Sequence, residues 1–86
     1  MGEPHHYSVV QFFGDGTYEK VRSMVPANQA VMAAHHYTHS VAARHGIVER
    51  VIITTEDDDI CFEWKFGEGI TYPEECRKFE QQEERQ

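Results

Sequence analysis

The chain contains no leucine, and this feature most limits the kind of core it can build. Its apolar side chains come instead from thirteen valines and isoleucines, five phenylalanines, four tyrosines and one tryptophan. Branched and aromatic side chains fit the pleated surface of a half-buried strand, whereas in a helix they lose rotamer freedom. The composition therefore predicts a mainly β core with limited helix.

The length of the chain allows one domain, which we assign to residues 1–86. A chain of 86 residues and 10.0 kDa has little room for an enclosed cofactor cavity or a separate cofactor module. No catalytic or ligand-binding signature occurs in the sequence. We therefore expect a protein that is not an enzyme, binds no cofactor and carries its functional site on the surface.

Four segments have the pattern of strands. Residues 7–13 and 18–24 flank Gly14, Asp15 and Gly16, which predicts a β-hairpin. Residues 47–55 form a third apolar segment. In residues 60–66, apolar and polar positions alternate in the clearest period-two pattern of the chain. Residues 70–72 are expected to extend only briefly.

One helix is predicted between the second and third strands, because Pro26 can begin it and Gly46 can cap its end. Its apolar stripe comprises Ala27, Ala30, Ala34, Tyr37 and Val41. Pro73 can begin a second, short helix.

That C-terminal helix would be anchored by Cys76 and Phe79, and residues 80–86, which contain no apolar side chain, are expected to fray. The fold class is then α+β. Its order is ββαββ: a four-stranded antiparallel sheet with one helix packed on a face and a short C-terminal helix. The first and third strands are apolar on both faces, so either the C-terminal helix covers the second face or that face is open for a partner or a second copy.

All six histidines lie in the first half of the chain, and His35 and His39 have the i, i+4 spacing that can direct two imidazoles at one metal ion. On a helical wheel, these two residues and His36 lie away from the apolar stripe, so we expect them to face solvent. The pattern does not supply the third protein ligand that a catalytic zinc site needs. Metal binding by His35 and His39, with His36 or a carboxylate as a further ligand, is therefore an alternative hypothesis.

Charge is distributed unevenly along the chain. The net charge is −7, and all of it falls in residues 47–86, which argues against direct binding to nucleic acid or to anionic membranes. Residues 56–59 are too charged to be buried and predict an exposed loop. The candidate partner-binding residues are Glu56, Asp57, Asp58, Asp59, Glu63, Glu68, Glu74 and Glu75.

The sequence also lacks a run of about 18 apolar residues and a basic leader followed by an apolar stretch. We therefore expect a soluble, cytoplasmic protein.

The acidic residues 56–59, the alternating strand 60–65 and the glutamate-rich C-terminal segment resemble features of small acidic accessory proteins of phages and mobile elements, such as anti-CRISPR inhibitors. The resemblance implies inhibition by occupancy: such a protein binds a nucleic-acid-handling complex and denies its basic channel to nucleic acid.

The leading hypothesis is therefore a protein-binding module whose acidic face docks on a larger basic protein or ribonucleoprotein complex. The alternatives are a histidine-rich metal-binding protein and a homodimeric structural domain joined through a sheet edge or face.

Overall fold

The computed structural model describes residues 5–73, which form an α+β fold with five strands and two helices. In chain order the elements are β1 (His6–Phe13), β2 (Tyr18–Pro26), α1 (Ala27–Thr38), α2 (Val41–Arg44), β3 (Val48–Thr54), β4 (Ile60–Lys65) and β5 (Gly69–Tyr72). The strands form one sheet in the order β2-β1-β3-β4-β5, and every neighbouring pair is antiparallel. The predicted class and the antiparallel sheet are confirmed.

The N-terminal hairpin forms where the sequence predicts it. Strands β1 and β2 pair directly, and Gly16 adopts a φ of +92° in the turn between them, a conformation that an L side chain rarely adopts. Strand β1 also pairs with β3, so it lies in the interior of the sheet. The apolar residues on both faces of β1 agree with this interior position.

The prediction of four strands is wrong, because residues 69–72 form a fifth strand at the edge of the sheet. Ile70 lies opposite Trp64 of β4, and Gly69 lies opposite Lys65. Gly67 and Gly69 have φ values of +82° and +78°, and these conformations turn the chain back along β4. A strand of four residues is too short to give a clear period-two pattern, so the sequence indicated only a brief extension.

The prediction of one continuous helix is also wrong, because the helical segment is interrupted after Thr38. Ser40 caps a new helix: its hydroxyl oxygen accepts a hydrogen bond from the backbone N–H of Ala43 at 3.1 Å. Because α2 is separate from α1, Val41 is 70% exposed and does not continue the predicted apolar stripe. Gly46 does follow the helical segment with a φ of +79°, as predicted.

The core lies between the helices and one face of the sheet. Ala30, Ala33 and Ala34 of α1 are buried there, and their small side chains let the helix approach the strands closely. The sheet contributes Val9, Val48, Val51, Ile53 and Trp64, and α2 contributes Ala43. Trp64 is therefore a core residue, whereas Ala27, which the predicted stripe included, is exposed.

No helix or strand of residues 5–73 covers the opposite face of the sheet. Because side chains alternate along a strand, Val10 and Ile52 point away from the helices, yet both are buried among neighbouring side chains of that face. The C-terminal helix that the sequence predicts as a possible cover for this face lies outside the described residues, as does the predicted frayed tail.

Candidate functional site

The acidic residues 56–59 form the loop of the β3–β4 hairpin, which we call the acidic loop. Thr55 organises it: its hydroxyl oxygen accepts hydrogen bonds from the N–H groups of Asp57 and Asp59, both at 3.2 Å. The Thr55 N–H donates to the carbonyl oxygen of Asp59 at 2.8 Å, and the Asp58 N–H donates to the carbonyl oxygen of Thr55 at 3.0 Å. The backbone of the loop is therefore held by its own hydrogen bonds, and the carboxylates are left to solvent.

The four carboxylates of the acidic loop are all exposed, as the sequence predicts. Within residues 5–73 the carboxylates of Asp57, Asp58 and Asp59 accept no hydrogen bond and form no ion pair. Glu56 differs, because its Oε2 lies 3.1 Å from both the backbone N and the ring Nδ1 of His6. These two contacts lower the pKa of Glu56 below its ordinary value, so this carboxyl is ionised at neutral pH.

Glu63, another predicted partner-binding residue, is already paired within the sheet. Its carboxylate accepts a hydrogen bond from Arg50 Nε at 2.5 Å and one from the Thr71 hydroxyl at 2.8 Å. Partial burial raises the pKa of Glu63, but the contacts with Thr71 and Arg50 outweigh it and leave the pKa below the ordinary value. Glu63 therefore holds strands together and is not a free carboxylate.

The remaining predicted acidic residues are not brought together with the loop. Glu68 lies in the turn between β4 and β5, at the opposite end of β4 from the acidic loop. A strand of six residues is about 20 Å long, so these two groups of charge are well separated. Glu74 and Glu75 lie outside the described residues. Among the described residues, the predicted partner-binding carboxylates therefore do not form one continuous face.

The predicted histidine pair lies at the end of α1 and faces solvent, as predicted. The rings of His35 and His39 stack with centroids 4.3 Å apart and an angle of 23° between their planes. His39 Nδ1 lies 2.8 Å from the carbonyl oxygen of His35, to which it donates its proton. Two stacked rings do not direct their lone pairs at one point, and no group of three His, Cys, Asp or Glu residues in the described part of the chain is arranged to hold a metal ion.

A second feature, which sequence patterns did not indicate, is an apolar groove beside α1 that we call the helix–sheet groove. Helix α1 packs mainly on β1, β2 and β3, so the same face of β4 and β5 is left beside it. Two adjoining cavities of about 280 and 180 Å³ follow this boundary, and both are lined by Val31, Ile53 and Phe62. The groove exists because a sheet of five strands is wider than one helix can cover. Only the number of strands in the sheet would have indicated it.

The two ends of the groove are lined by different residues. Tyr7, Ala27, Cys61 and Pro73 line the end near the beginning of α1. Partial burial raises the pKa of the Cys61 thiol, which is therefore protonated at neutral pH and is not an activated nucleophile. The other end is lined by Ala34, His35, Thr38, His39 and Ile70.

No helix among residues 5–73 has the length and apolar character needed to cross a lipid bilayer. Comparison with protein-family models, with curated proteins and with solved structures gives no match to this chain.

Proposed function

We propose that this protein is a non-enzymatic binding module that docks on a basic surface of a larger protein or ribonucleoprotein complex through its acidic loop. The observation that carries the proposal is the unpaired state of Asp57, Asp58 and Asp59 at an exposed hairpin tip. Three adjacent carboxylates repel one another. A positive partner surface would relieve this repulsion.

The conformation of the loop also supports binding. Because Thr55 fixes the backbone through hydrogen bonds to Asp57 and Asp59, little of the loop has to become ordered when a partner binds. A preformed cluster of charge accelerates encounter with an oppositely charged surface. The five lysines and arginines of the described residues make no ion pair with the loop, so they do not neutralise it.

The consequence for the partner is inhibition by occupancy. A basic surface that normally holds nucleic acid cannot hold it while the acidic loop covers the same side chains. Binding should weaken as salt rises, because the screening length falls from about 10 Å at 0.1 M to about 3 Å at 1 M ionic strength. The net charge of −7 agrees with a partner that is basic and is not itself nucleic acid.

The test compares two variants that each remove two negative charges. Asp57→Asn with Asp59→Asn removes them from the acidic loop, and Glu49→Gln with Glu68→Gln removes them from the opposite end of the sheet. Immobilised wild type and both variants are used to capture proteins from a lysate of the source organism at low and high salt. The expected partner is one that the wild type and the Glu49/Glu68 variant retain at low salt and the Asp57/Asp59 variant loses.

The captured protein is then purified, and its association with each variant is measured by surface plasmon resonance. We expect association with the Asp57/Asp59 variant to be roughly tenfold slower at low salt. A labelled oligonucleotide bound to the partner should be displaced by wild type. Equal capture and equal rates for both variants would contradict the proposal, since net charge alone would then explain binding.

A further inference from the structure

The face of the sheet that carries no helix among the described residues bears a row of aromatic and basic side chains. Tyr18 of β2 lies opposite Phe12 of β1, and Phe12 lies opposite Arg50 of β3. Arg50 in turn lies opposite Lys65 of β4. We call these four residues the aromatic–basic row. The row crosses four neighbouring strands, which is about 14 Å from end to end.

The middle of the row is ordered by its own contacts, and its two ends are exposed. The rings of Phe12 and Tyr18 have their centroids 5.7 Å apart. The guanidinium carbon of Arg50 lies 5.0 Å from the centre of the Phe12 ring. Tyr18 is 69% exposed, and Lys65 at the other end is exposed as well. A partner that contacts the row therefore meets side chains that are already positioned.

This face is locally positive although the chain is acidic. Three of the five lysines and arginines in the described part of the chain lie on it, because Lys20 is opposite Val10 in the adjacent row. Glu63, the carboxylate of that adjacent row, is already paired with Arg50. Within residues 5–73, Lys20 and Lys65 form no ion pair. A surface with clustered carboxylates would complement this face.

A second copy of the chain supplies such carboxylates in a suitable position. The acidic loop, with its unpaired residues 57–59, lies at the other end of the same hairpin that carries Arg50 and Lys65. The loop begins about 17 Å along the strand from Arg50. A two-fold axis that crosses the hairpin midway, close to Ile52, reverses the strand direction in the second copy. Each acidic loop then lies over the aromatic–basic row of the other copy, and one contact is made twice.

We propose that two copies of this chain pair through their helix-free faces, with residues 57–59 of each acidic loop over Arg50 and Lys65 of the other copy. Val10 and Ile52, which are paired across β1 and β3, lie at the centre of the interface. The dimer covers the acidic loop, so self-association and binding of a larger basic protein exclude each other. The inference does not rest on that larger protein, because the acidic loop can bind one whether or not two copies pair.

The helix-free face has the area of a weak interface. Five strands at about 4.8 Å spacing and about 20 Å length offer about 500 Å² in each copy. A total near 1,000 Å² is the lower limit of specific interfaces, so the dimer should be populated only at high protein concentration. Each copy has a net charge of −7. At about 0.1 M salt, screening over about 10 Å suppresses the general repulsion between copies more than the attraction between touching charges.

Sedimentation equilibrium of the full-length chain tests the proposal. Between about 10 μM and about 1 mM, the mass should rise from 10.0 kDa towards twice that value. We expect Lys65→Glu and Asp57→Lys each to weaken association roughly tenfold or more, because symmetry repeats the altered contact. Arg44→Glu is the matched control, since Arg44 is an exposed base at the end of α2 on the other side of the sheet. A constant 10.0 kDa species, or equal association of all variants, would overturn the proposal.

A mixture of the two weakened variants tests the symmetry of the interface. Lys65→Glu places a carboxylate in the aromatic–basic row, and Asp57→Lys places an amine in the acidic loop. In a mixed dimer both contacts again join opposite charges. We therefore expect the mixture to associate about as tightly as wild type, while each variant alone stays monomeric at the same concentration. A mixture that stays monomeric would refute the proposed pairing of loop and row.

Nuclear magnetic resonance distinguishes the second copy from other occupants of this face. Chemical shifts of Tyr18 and Lys65 should change as the protein concentration rises, and those of Val31 on α1 should not. The same changes produced in dilute protein by a single-stranded oligonucleotide would assign the row to nucleic acid and overturn the proposal. Changes confined to Val31 would place the dimer contact on the helix side, which would overturn it as well.

Discussion

Arg50 of β3 reaches Glu63 of β4 with Nε 2.5 Å from Oε2, and its guanidinium also lies over the ring of Phe12 of β1, 5.0 Å from the ring centre. The Thr71 hydroxyl of β5 donates to the same carboxylate at 2.8 Å. These contacts lie on the face of the sheet that carries no helix among the described residues. A small polar network thus connects four strands on that face.

The ion pair between Arg50 and Glu63 should contribute measurably to stability, because it is partly buried and hydrogen-bonded. In a double-mutant cycle with Arg50→Met and Glu63→Gln, we expect a coupling free energy of about 1–2 kcal/mol from urea unfolding. The matched control is the exposed pair of His6 and Glu56, for which a clearly smaller coupling free energy is expected because solvent screens the two groups. Equal coupling free energies in the two pairs would show that the Arg50–Glu63 pair contributes no more to stability than an exposed pair.

The lowered pKa of Glu63 predicts how stability depends on pH. A carboxyl whose pKa is lower in the folded protein than in the unfolded chain binds fewer protons when folded. Its contribution is therefore complete above the unfolded pKa of about 4.3 and is lost as pH falls through the lower folded pKa.

Urea unfolding of wild type and Glu63→Gln from about pH 6 to about pH 2.5 measures this contribution. The stability difference between the two proteins should be constant at the upper end and shrink at the lower end. A difference that grows as pH falls would contradict the assignment.

Val51 is fully buried on β3, so removing two of its methyl groups should leave a cavity. We expect Val51→Ala to lower the free energy of unfolding by about 2–3 kcal/mol. Val41→Ala is the matched control, because Val41 is 70% exposed and its truncation should change stability by less than about 0.5 kcal/mol. Similar losses in the two variants, measured by urea unfolding, would be inconsistent with the helix break after Thr38.

Met24 adopts a φ of +54° in β2, a conformation that is unfavourable for any residue with a Cβ atom. Met24→Gly removes this strain, whereas Met24→Ala keeps the Cβ and removes the rest of the side chain. We expect the Gly variant to be more stable than the Ala variant by up to about 1 kcal/mol in thermal unfolding. A more stable Ala variant would indicate that residue 24 does not hold this backbone conformation in solution.

Sequence patterns predicted the elements whose signal is local. The hairpin of β1 and β2 and the existence of β4 depend on residues that are neighbours in the chain, and both were correct. The alternation predicted for β4 holds only in part, because a register shift against β3 lets Cys61 pack against the core beside Phe62. The break between α1 and α2 depended on Ser40, which favours an N-cap but is also tolerated within helices. The predicted apolar stripe continued through Val41, so periodicity indicated one helix. In the structure Ser40 instead acts as the N-cap of a second helix.

The candidate site was predicted only in part, for a different reason. Exposure of the acidic loop follows from its composition, and this prediction is confirmed. The pairing of Glu63 depends on the register of β3 against β4, and the separation of Glu68 from the loop depends on strand direction. Neither property can be read from one sequence, so carboxylates that are close in sequence are separated or neutralised in the fold.

Strand β1 connects two parts of the sheet. Strand β1 has β2 on one side and β3 on the other, and β3 follows only after both helices. During synthesis the hairpin of β1 and β2 is therefore complete before β3 exists. The edge of β1 that pairs with β3, which includes Val9 and Val10, stays unpaired until β3 has been synthesised. The pairing of β1 with β3 can form only after residues 48–54 have been synthesised, and until then this edge of β1 is open to pairing with other chains.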